Sequence, residues 1–311
     1  MRPYNNLAGY WKNKFGTRIR KIPLDAGTTC PNRDGTISQN GCIFCNEQGS
    51  GTGLHAENIS LEKQYLAARE KLTSRHGPLL FAAYLQSFSN TYCSPRRLHL
   101  ILENLKGLAD LKVLCVGTRP DCLDREKAEI LASFPCSEVW LDLGLQSSSD
   151  KTLDLINRGH RAKDFALACC LAAEAGILVC AHVIGGLPQE NETDFLNTIR
   201  FLNQLPVSGI KIHNLYICQG TEMEKLWKEE KYIPISREKY TDWVIKALEL
   251  LRPDIIIHRL AGDPSPGELA APAWAGEKMK TLNIINTKIQ QNRITQGMKW
   301  DPCENPAHHC L

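Results

Sequence analysis

Apolar runs that end in polar or glycine-rich loops alternate with stretches of helical periodicity along most of this chain, and no other feature narrows its fold so far. GPLLFAAYLQSF (77–88), LKVLCVGTRPD (111–121), EVWLDLGLQS (138–147), GILVCAHVIGGLP (176–188) and GIKIHNLYI (209–217) read as mostly buried strands. PRRLHLILENLKGL and TDFLNTIRFLNQL, lying between them, carry apolar residues at helical spacing. Buried strands alternating with helices make βαβ units, hence a parallel sheet with right-handed crossovers. RIRKIPLDAG adds a strand ahead of these. The expected fold is therefore α/β, a partial (β/α)6 TIM-type barrel, with functional loops at the C-terminal ends of its strands. TDWVIKALELLRP and DIIIHRLAG (254–262) then add a helix and one more apolar strand before an irregular tail. The expected divisions are a basic leader and first strand (1–25), the partial barrel (26–240), and a C-terminal helix, strand and irregular cap (241–311).

With 311 residues, 43% of them hydrophobic, the chain can bury a large core without covalent staples. A formal charge of +3 decides nothing about partners, but its distribution is uneven. Residues 1–25 hold Arg2, Lys12, Lys14, Arg18, Arg20 and Lys21 against the single acid Asp25. That leader reads either as a solvated face or as a nucleic-acid contact. MRPYNNLAGYWKNKF is too polar for the apolar centre of a signal peptide, and no run reaches the roughly 18 apolar residues of a membrane span. Of the 13 cysteines most stand singly in apolar segments, as Cys115 and Cys180 do. They read as small buried hydrophobes of a protein in a reducing cytoplasm, away from membranes.

CPNRDGTISQNGCIFC, Cys30 to Cys45, is different: C-x11-C-x2-C directly after the first strand. Three thiolates are one short of the usual four-cysteine structural zinc site, for which His55 or the terminal Cys303, His308, His309 and Cys310 would have to supply the fourth ligand. Three thiolates can instead hold three irons of a [4Fe–4S] cube and leave the fourth iron open to a small molecule. Gly35 and Gly41 permit tight turns around a bulky group, and Pro31 stiffens the exit from Cys30. The tail CENPAHHCL also presents four candidate ligands for a second metal. G-x-G-x-x-G after a first strand and G-x-x-x-x-G-K-[ST] are both absent, which removes the usual nucleotide-phosphate cradles.

CPNRDG…GCIFC resembles the cluster-binding signature of the radical S-adenosylmethionine (SAM) enzymes, with the lengthened first interval of the Elp3-like branch, which is associated with tRNA wobble-uridine chemistry. VWLDLGLQSSSDKTLDLINRGH (139–160) is similar to the fourth-strand segment of that branch and of the oxygen-independent coproporphyrinogen oxidases. HVIGGLPQE (182–190) resembles the fifth-strand segment that lies over the adenosyl group. KIHNLYICQGT (211–221) and IIIHRLAGD (255–263) look like hallmarks of a bacterial subfamily of about this length. The family's common Gly-Gly-Glu does not occur.

The resemblance implies a [4Fe–4S] cluster on Cys30, Cys42 and Cys45 and SAM as its ligand. It places methionine-amine contacts at the end of the second strand, among Gln86, Ser87, Ser89 and Asn90. Gln146 and Ser147 would meet ribose, Arg158 would pair with the methionine carboxylate, and Gly185, Gly186 and Pro188 would let backbone approach adenine. Among candidates facing substrate, Lys211 and His213 alternate on one strand and share a face. His258 is expected inside and Arg259 outside, or in a closing ion pair with Asp263. Cys93 is a candidate hydrogen donor or attachment point. Tyr84, Tyr92, Tyr216 and Trp274 are candidates for stacking on a base. The expected activity is reductive cleavage of SAM to methionine and a 5′-deoxyadenosyl radical, driven by an electron donor such as flavodoxin or ferredoxin and directed at tRNA. Two alternatives stay open: a radical SAM enzyme of small-molecule or cofactor metabolism, and a zinc-stabilised RNA-binding or regulatory protein.

Overall fold

The structure, a computed structural model, describes residues 3–46, 49 and 53–302. The terminal candidates Cys303, His308, His309 and Cys310 lie outside the described residues. Helix α1 (Leu7–Phe15) precedes strand β1 (Ile19–Leu24). The chain continues through α2 (Leu61–His76), β2 (Leu80–Leu85), α3 (Pro95–Glu103), β3 (Leu111–Thr118), α4 (Arg125–Ala132) and β4 (Glu138–Gln146). Next come α5 (Asp150–Leu155), α6 (Ala162–Glu174), β5 (Leu178–Gly185), α7 (Glu192–Asn203), β6 (Gly209–Asn214), the short β7 (Ile217–Cys218) and α8 (Glu222–Lys228). The last elements are α9 (Arg237–Leu250), β8 (Ile256–Arg259), β9 (Leu269–Ala271) and α10 (Lys278–Gln291).

The main sheet has seven strands in the order β1-β2-β3-β4-β5-β6-β8, and every neighbouring pair is parallel. A sheet that never reverses and takes its strands in chain order must wind in one direction, and here it curls into a partial barrel. Its six expected strands are present, and the apolar run after α9 adds a seventh at the β6 edge. The short β7 and β9 pair antiparallel beyond the barrel mouth.

Helix starts are written locally. Ser60, Ser94, Asp124, Ser149 and Ser236 each accept from a backbone N–H three residues on, and Asn191 with Asp194 forms a capping box. The helices cover the outer face of the sheet, where Leu85, Leu114, Leu141, Val179, Phe165 and Phe195 belong to one continuous core. Inside the barrel a second cluster, with Trp11, Val113, Cys115, Trp140 and Cys180, plugs the N-terminal end.

That plug contains a surprise about the leader. Trp11 is buried, and α1 lies across the gap between the two edge strands: Asn6 bridges to Ile257 of β8, whose N–H bonds to the Asn5 carbonyl at 2.7 Å. Glu138 at the start of β4 accepts from Tyr10 Oη at 2.5 Å, Trp11 Nε1 at 3.0 Å, Lys14 Nζ at 2.6 Å and Trp140 Nε1 at 2.9 Å. The leader is therefore a docked lid on the closed end rather than a free basic arm. Lys12, Arg18 and Arg20 stay exposed there, but Lys21 turns inward.

Candidate active site

A cavity of about 270 Å³ opens at the C-terminal ends of the strands and is lined by Cys30, Cys42 and Cys45 on one side and by Tyr84, Asp142, His182, Lys211, His213 and Arg259 below. A side crevice of about 150 Å³, with Phe44 and Ile184 as apolar walls, shares Cys45, Gln146, His182, His213 and Tyr216 with it. An open groove of about 940 Å³ runs outside the cysteine loop.

The cysteine loop is stapled, not loose. Asn32 Nδ2 donates to the Asn157 carbonyl at 2.6 Å, Asn157 Nδ2 returns to the Gly41 carbonyl at 2.6 Å, and the Ile43 N–H reaches the Ile156 carbonyl at 3.1 Å. The Cys45 N–H bonds the Cys42 carbonyl at 3.0 Å, a turn that brings the second and third thiols to one side. Donors converge on Cys42 Sγ: Asn32 Nδ2 at 3.6 Å and Arg158 Nη1 at 3.5 Å. Burial, and then the nearby Cys42 and Cys30 charges, push the Cys45 thiol up, a strain that a bound cationic centre would relieve. The three sulfurs are not all within 4.8 Å of one another. Thiolates on one zinc ion would sit about 3.8 Å apart, given Zn–S bonds of ~2.3 Å in a tetrahedron. Exposed His55, lying over Gly27, joins no close group of ligand atoms among the described residues.

Arg158 is buried, at 7% exposure, which excludes a helix-surface role. Its fork, however, is partly committed: Nη1 to Cys42 sulfur and Nη2 to the Gly144 carbonyl at 2.9 Å, with Nε unpartnered. A free bidentate clamp is thus not what the fold offers. His160 Nε2 meets the same Gly144 carbonyl at 3.0 Å. Its Nδ1 faces the Arg161 carbonyl at 3.2 Å, and burial, then the Arg158 charge, pushes the ring's pKa down to about 2. A Cβ at Gly144 would come within 2.6 Å of Arg158 Nη2 and of Gln146 Nε2, so a side chain there would displace both.

The other expected ligand contacts divide sharply. Gln86 and Gln146 line the cavity. Asn90 does not: its Nδ2 donates to the carbonyls of Leu85 (3.1 Å), Ser87 (3.1 Å) and Gly117 (2.9 Å), tying the ends of β2 and β3 together. Ser87 is fully buried beside it, and its Oγ has no partner. Ser147 Oγ bonds Glu190 and caps the Ser149 N–H, so it is spent before a ribose could reach it. Gly186 faces Ile235, with which a Cβ would collide at 2.7 Å, Gly185 packs closely on Tyr240 and Phe195 of the outer layer, and Pro188 lies half-buried beyond them outside the lining. Their smallness serves helix packing. Cys93 packs against the core at the start of α3, its Sγ 3.7 Å from the Asn90 carbonyl, away from the cavity.

Lys211 and His213 line the cavity, while Ile212 joins the outer core. A register shift between β6 and β8 pairs Ile210 with Ile257 and Lys211 with Arg259. That shift overturns the expected choice on β8: Arg259 enters the cavity wall, and His258 sinks below it against Trp140, ring centroids 4.7 Å apart. Nor does Arg259 close onto Asp263, which pairs with Lys278 at 2.6 Å. Tyr84 and Tyr216 line the cavity; Tyr92 bonds Thr36 Oγ1 at 2.7 Å, and Trp274 leans on Tyr240 outside it.

The sequence reading missed Asp142. It sits 2% exposed at mid-cavity, its Oδ2 2.5 Å from Lys211 Nζ and 3.8 Å from both Lys21 Nζ and His182 Nε2. Burial alone would raise its pKa, but the two lysines overcome this and hold the carboxyl well below the usual range. An acid at an inward position of the otherwise apolar WLDLGL was the available signal. Asp142, Cys180 and His258 have ligand atoms within 4.8 Å of one another, yet two ammonium groups already hold that carboxylate and would repel a cation.

The chain matches the family description "Radical SAM superfamily" over residues 34–202 and "Radical_SAM C-terminal domain" over 207–291. It is 36% identical to the protein YhcC of Escherichia coli over 306 residues, covering 96% of this chain and 97% of that one. Over 153 residues it is 31% identical to a tRNA uridine(34) acetyltransferase of Dehalococcoides mccartyi, covering 48% of this chain but 33% of the other. Among solved structures it resembles the Elp3 of the archaeon Methanocaldococcus infernus with an N-terminal deletion, at TM-score 0.69 and 16% identity over 89% of this chain and 64% of that one. That likeness is one of fold. Among the described residues no helix is long and apolar enough to cross a membrane.

Proposed function

The chain belongs to the radical SAM superfamily, in its Elp3-like branch, and from that membership we propose that it abstracts hydrogen from a carbon of a uridine side chain in tRNA. The family works with a [4Fe–4S] cluster and SAM. When bound, they supply methionine and a 5′-deoxyadenosyl radical that removes a hydrogen atom from a C–H bond.

Cys30, Cys42 and Cys45 would hold three irons, and the observation that carries this reading is their shared wall of one cavity, with Asn32 and Arg158 donating to a sulfur. Arg158 and Asn32 act as positioning residues that fix Cys42 and moderate its charge. Arg158, Gln86 and Gln146 border the space where SAM would lie, and the crevice walled by Phe44 and Ile184 suits its adenine. The side chains of the barrel interior then orient the substrate and keep water from the radical. The tRNA assignment draws on the likeness to a tRNA uridine(34) acetyltransferase and to Elongator complex protein 3. That likeness spans a third of the acetyltransferase, so its acetyl transfer is not carried over. A soluble one-electron donor, flavodoxin or ferredoxin, would dock over the groove outside the cysteine loop.

The test is anaerobic reconstitution with iron and sulfide, followed by an assay of 5′-deoxyadenosine release beside the Cys30/Cys42/Cys45→Ala variant. The parent alone should hold the cluster and cleave SAM, and tRNA should accelerate cleavage more than heparin does at matched salt. Equal acceleration by the two polyanions would remove the tRNA assignment, and cleavage by the triple variant would remove the cluster assignment.

A further inference from the structure

We propose that Lys211 and Arg259 on the cavity floor, backed by the charge of Lys21 buried beneath them, form a receptor for an anionic group, a carboxylate or a phosphate, of the substrate. This deepens the reading above and rests on it for the placement of SAM at the cysteine end.

The argument is one of charge and partners. β1, β6 and β8 each bring one cation to the interior, and the β6–β8 register sets Lys211 beside Arg259. Against these three the floor holds a single carboxylate. Asp142 Oδ2 is shared by Lys211 Nζ at 2.5 Å and Lys21 Nζ at 3.8 Å, so one negative charge serves two ammonium groups. Lys21 Nζ is buried without a hydrogen-bond partner, 4.9 Å from the Tyr84 ring centroid and 5.7 Å from that of Trp11. Lys211 lies 4.6 Å from the same Tyr84 ring, so the aromatic face receives both cations. Arg259 makes no hydrogen bond or ion pair among the described residues.

The other charged groups of the wall are occupied elsewhere. Arg119 is held bidentately by Asp121, Asp263 by Lys278, and Arg33 by the carbonyls of Cys45 and Asn46. Glu268 accepts from Asn46 Nδ2 at 3.1 Å and Cys218 Sγ at 3.5 Å. Lys21, Lys211 and Arg259 thus outnumber the one carboxylate beside them, Asp142, by two, an imbalance that an anionic ligand would answer. His182 and His213 do not add to the excess. Their rings stack with centroids 5.6 Å apart, and burial with the neighbouring cations keeps both neutral. Each leaves Nε2 without a hydrogen bond. A guanidinium fork, the Lys211 ammonium and two neutral imidazoles line the cavity as a donor set for oxyanions, with Lys21 adding charge from beneath. Because the floor lies beneath the thiols, an anion held there would present its neighbouring carbons toward the SAM end.

The probes are malonate and inorganic phosphate, titrated calorimetrically in chloride-free buffer into cluster-loaded protein with and without saturating SAM. Saturable binding of at least one probe that persists with SAM present is expected. It should weaken tenfold or more in Arg259→Gln and in Lys21→Met, and not in Lys246→Gln, a control whose partner Glu192 is on the outer surface. Preference between the probes tells carboxylate from phosphate. Absence of binding, equal binding by all variants, or displacement of the probe by SAM overturns the proposal. Should Lys21→Met not fold, the half-buried Arg259 variant decides alone. SAM cleavage is read on the same preparations: binding without cleavage would sink the radical chemistry and leave the receptor standing, and cleavage without binding the reverse.

Discussion

Replacing Asp142 by Asn should destabilise the protein more than any other single change of equal size in the barrel. The substitution preserves shape and removes the charge that two buried lysines share, at 2.5 and 3.8 Å. Removing one partner of a buried ion pair costs about 3–5 kcal/mol because the other charge stays buried. Unfolding entropy near ~2.1 cal/mol/K per residue, over 311 residues, gives ~650 cal/mol/K, so the melting temperature should fall by about 5–8 °C. The pH dependence discriminates further. In the parent, the folded pKa of Asp142 lies well below its unfolded value, so its contribution is complete above the unfolded pKa near ~3.9 and disappears as pH falls toward the folded pKa. Urea unfolding from pH 3 to 7 should therefore show a gap that is widest near neutrality and narrows toward the acid end. A gap that is constant with pH, or an Asn variant as stable as the parent at pH 7, would refute the reasoning.

Three further outcomes follow from the geometry. Gly159→Ala forces a side chain onto a residue with φ +71°, 2.9 Å from both Asn32 Oδ1 and Ile37 Cγ2, and should cost about 1–3 kcal/mol while lowering iron retained per chain after gel filtration. Asn90→Ala removes three hydrogen bonds to buried carbonyls and should cost about 2–4 kcal/mol in urea unfolding, with the loss registered in stability rather than in SAM affinity, unlike Gln86→Ala. Glu138→Ala strips the common acceptor of Tyr10, Trp11, Lys14 and Trp140, so hydrogen exchange should accelerate over residues 7–15 before any other segment. Unchanged protection there would mean that α1 is held by its apolar contacts alone.

The pattern of apolar runs determined the parallel barrel and the end at which its loops gather, because strand burial and helix period are local properties that a linear reading can see. The C-x11-C-x2-C loop likewise showed three thiols seeking one centre. Side-chain alternation correctly put Lys211 and His213 on one face. What the linear reading could not supply was the closure of the sheet. Lys21 and Asp142 are 121 positions apart, and only the curl of the barrel brings them together. A register shift between β6 and β8 exchanged the expected places of His258 and Arg259, and no local propensity encodes a pairing offset. Asn90, Ser147 and the glycines at the end of β5 have the right residue types for ligand contacts, but their hydrogen bonds and free space are consumed by neighbours that sequence distance conceals. The sequence specified which groups the site would contain; tertiary packing decided which of them still had an unoccupied atom to offer, because a polar group in a closed core must find its partner wherever the fold places one.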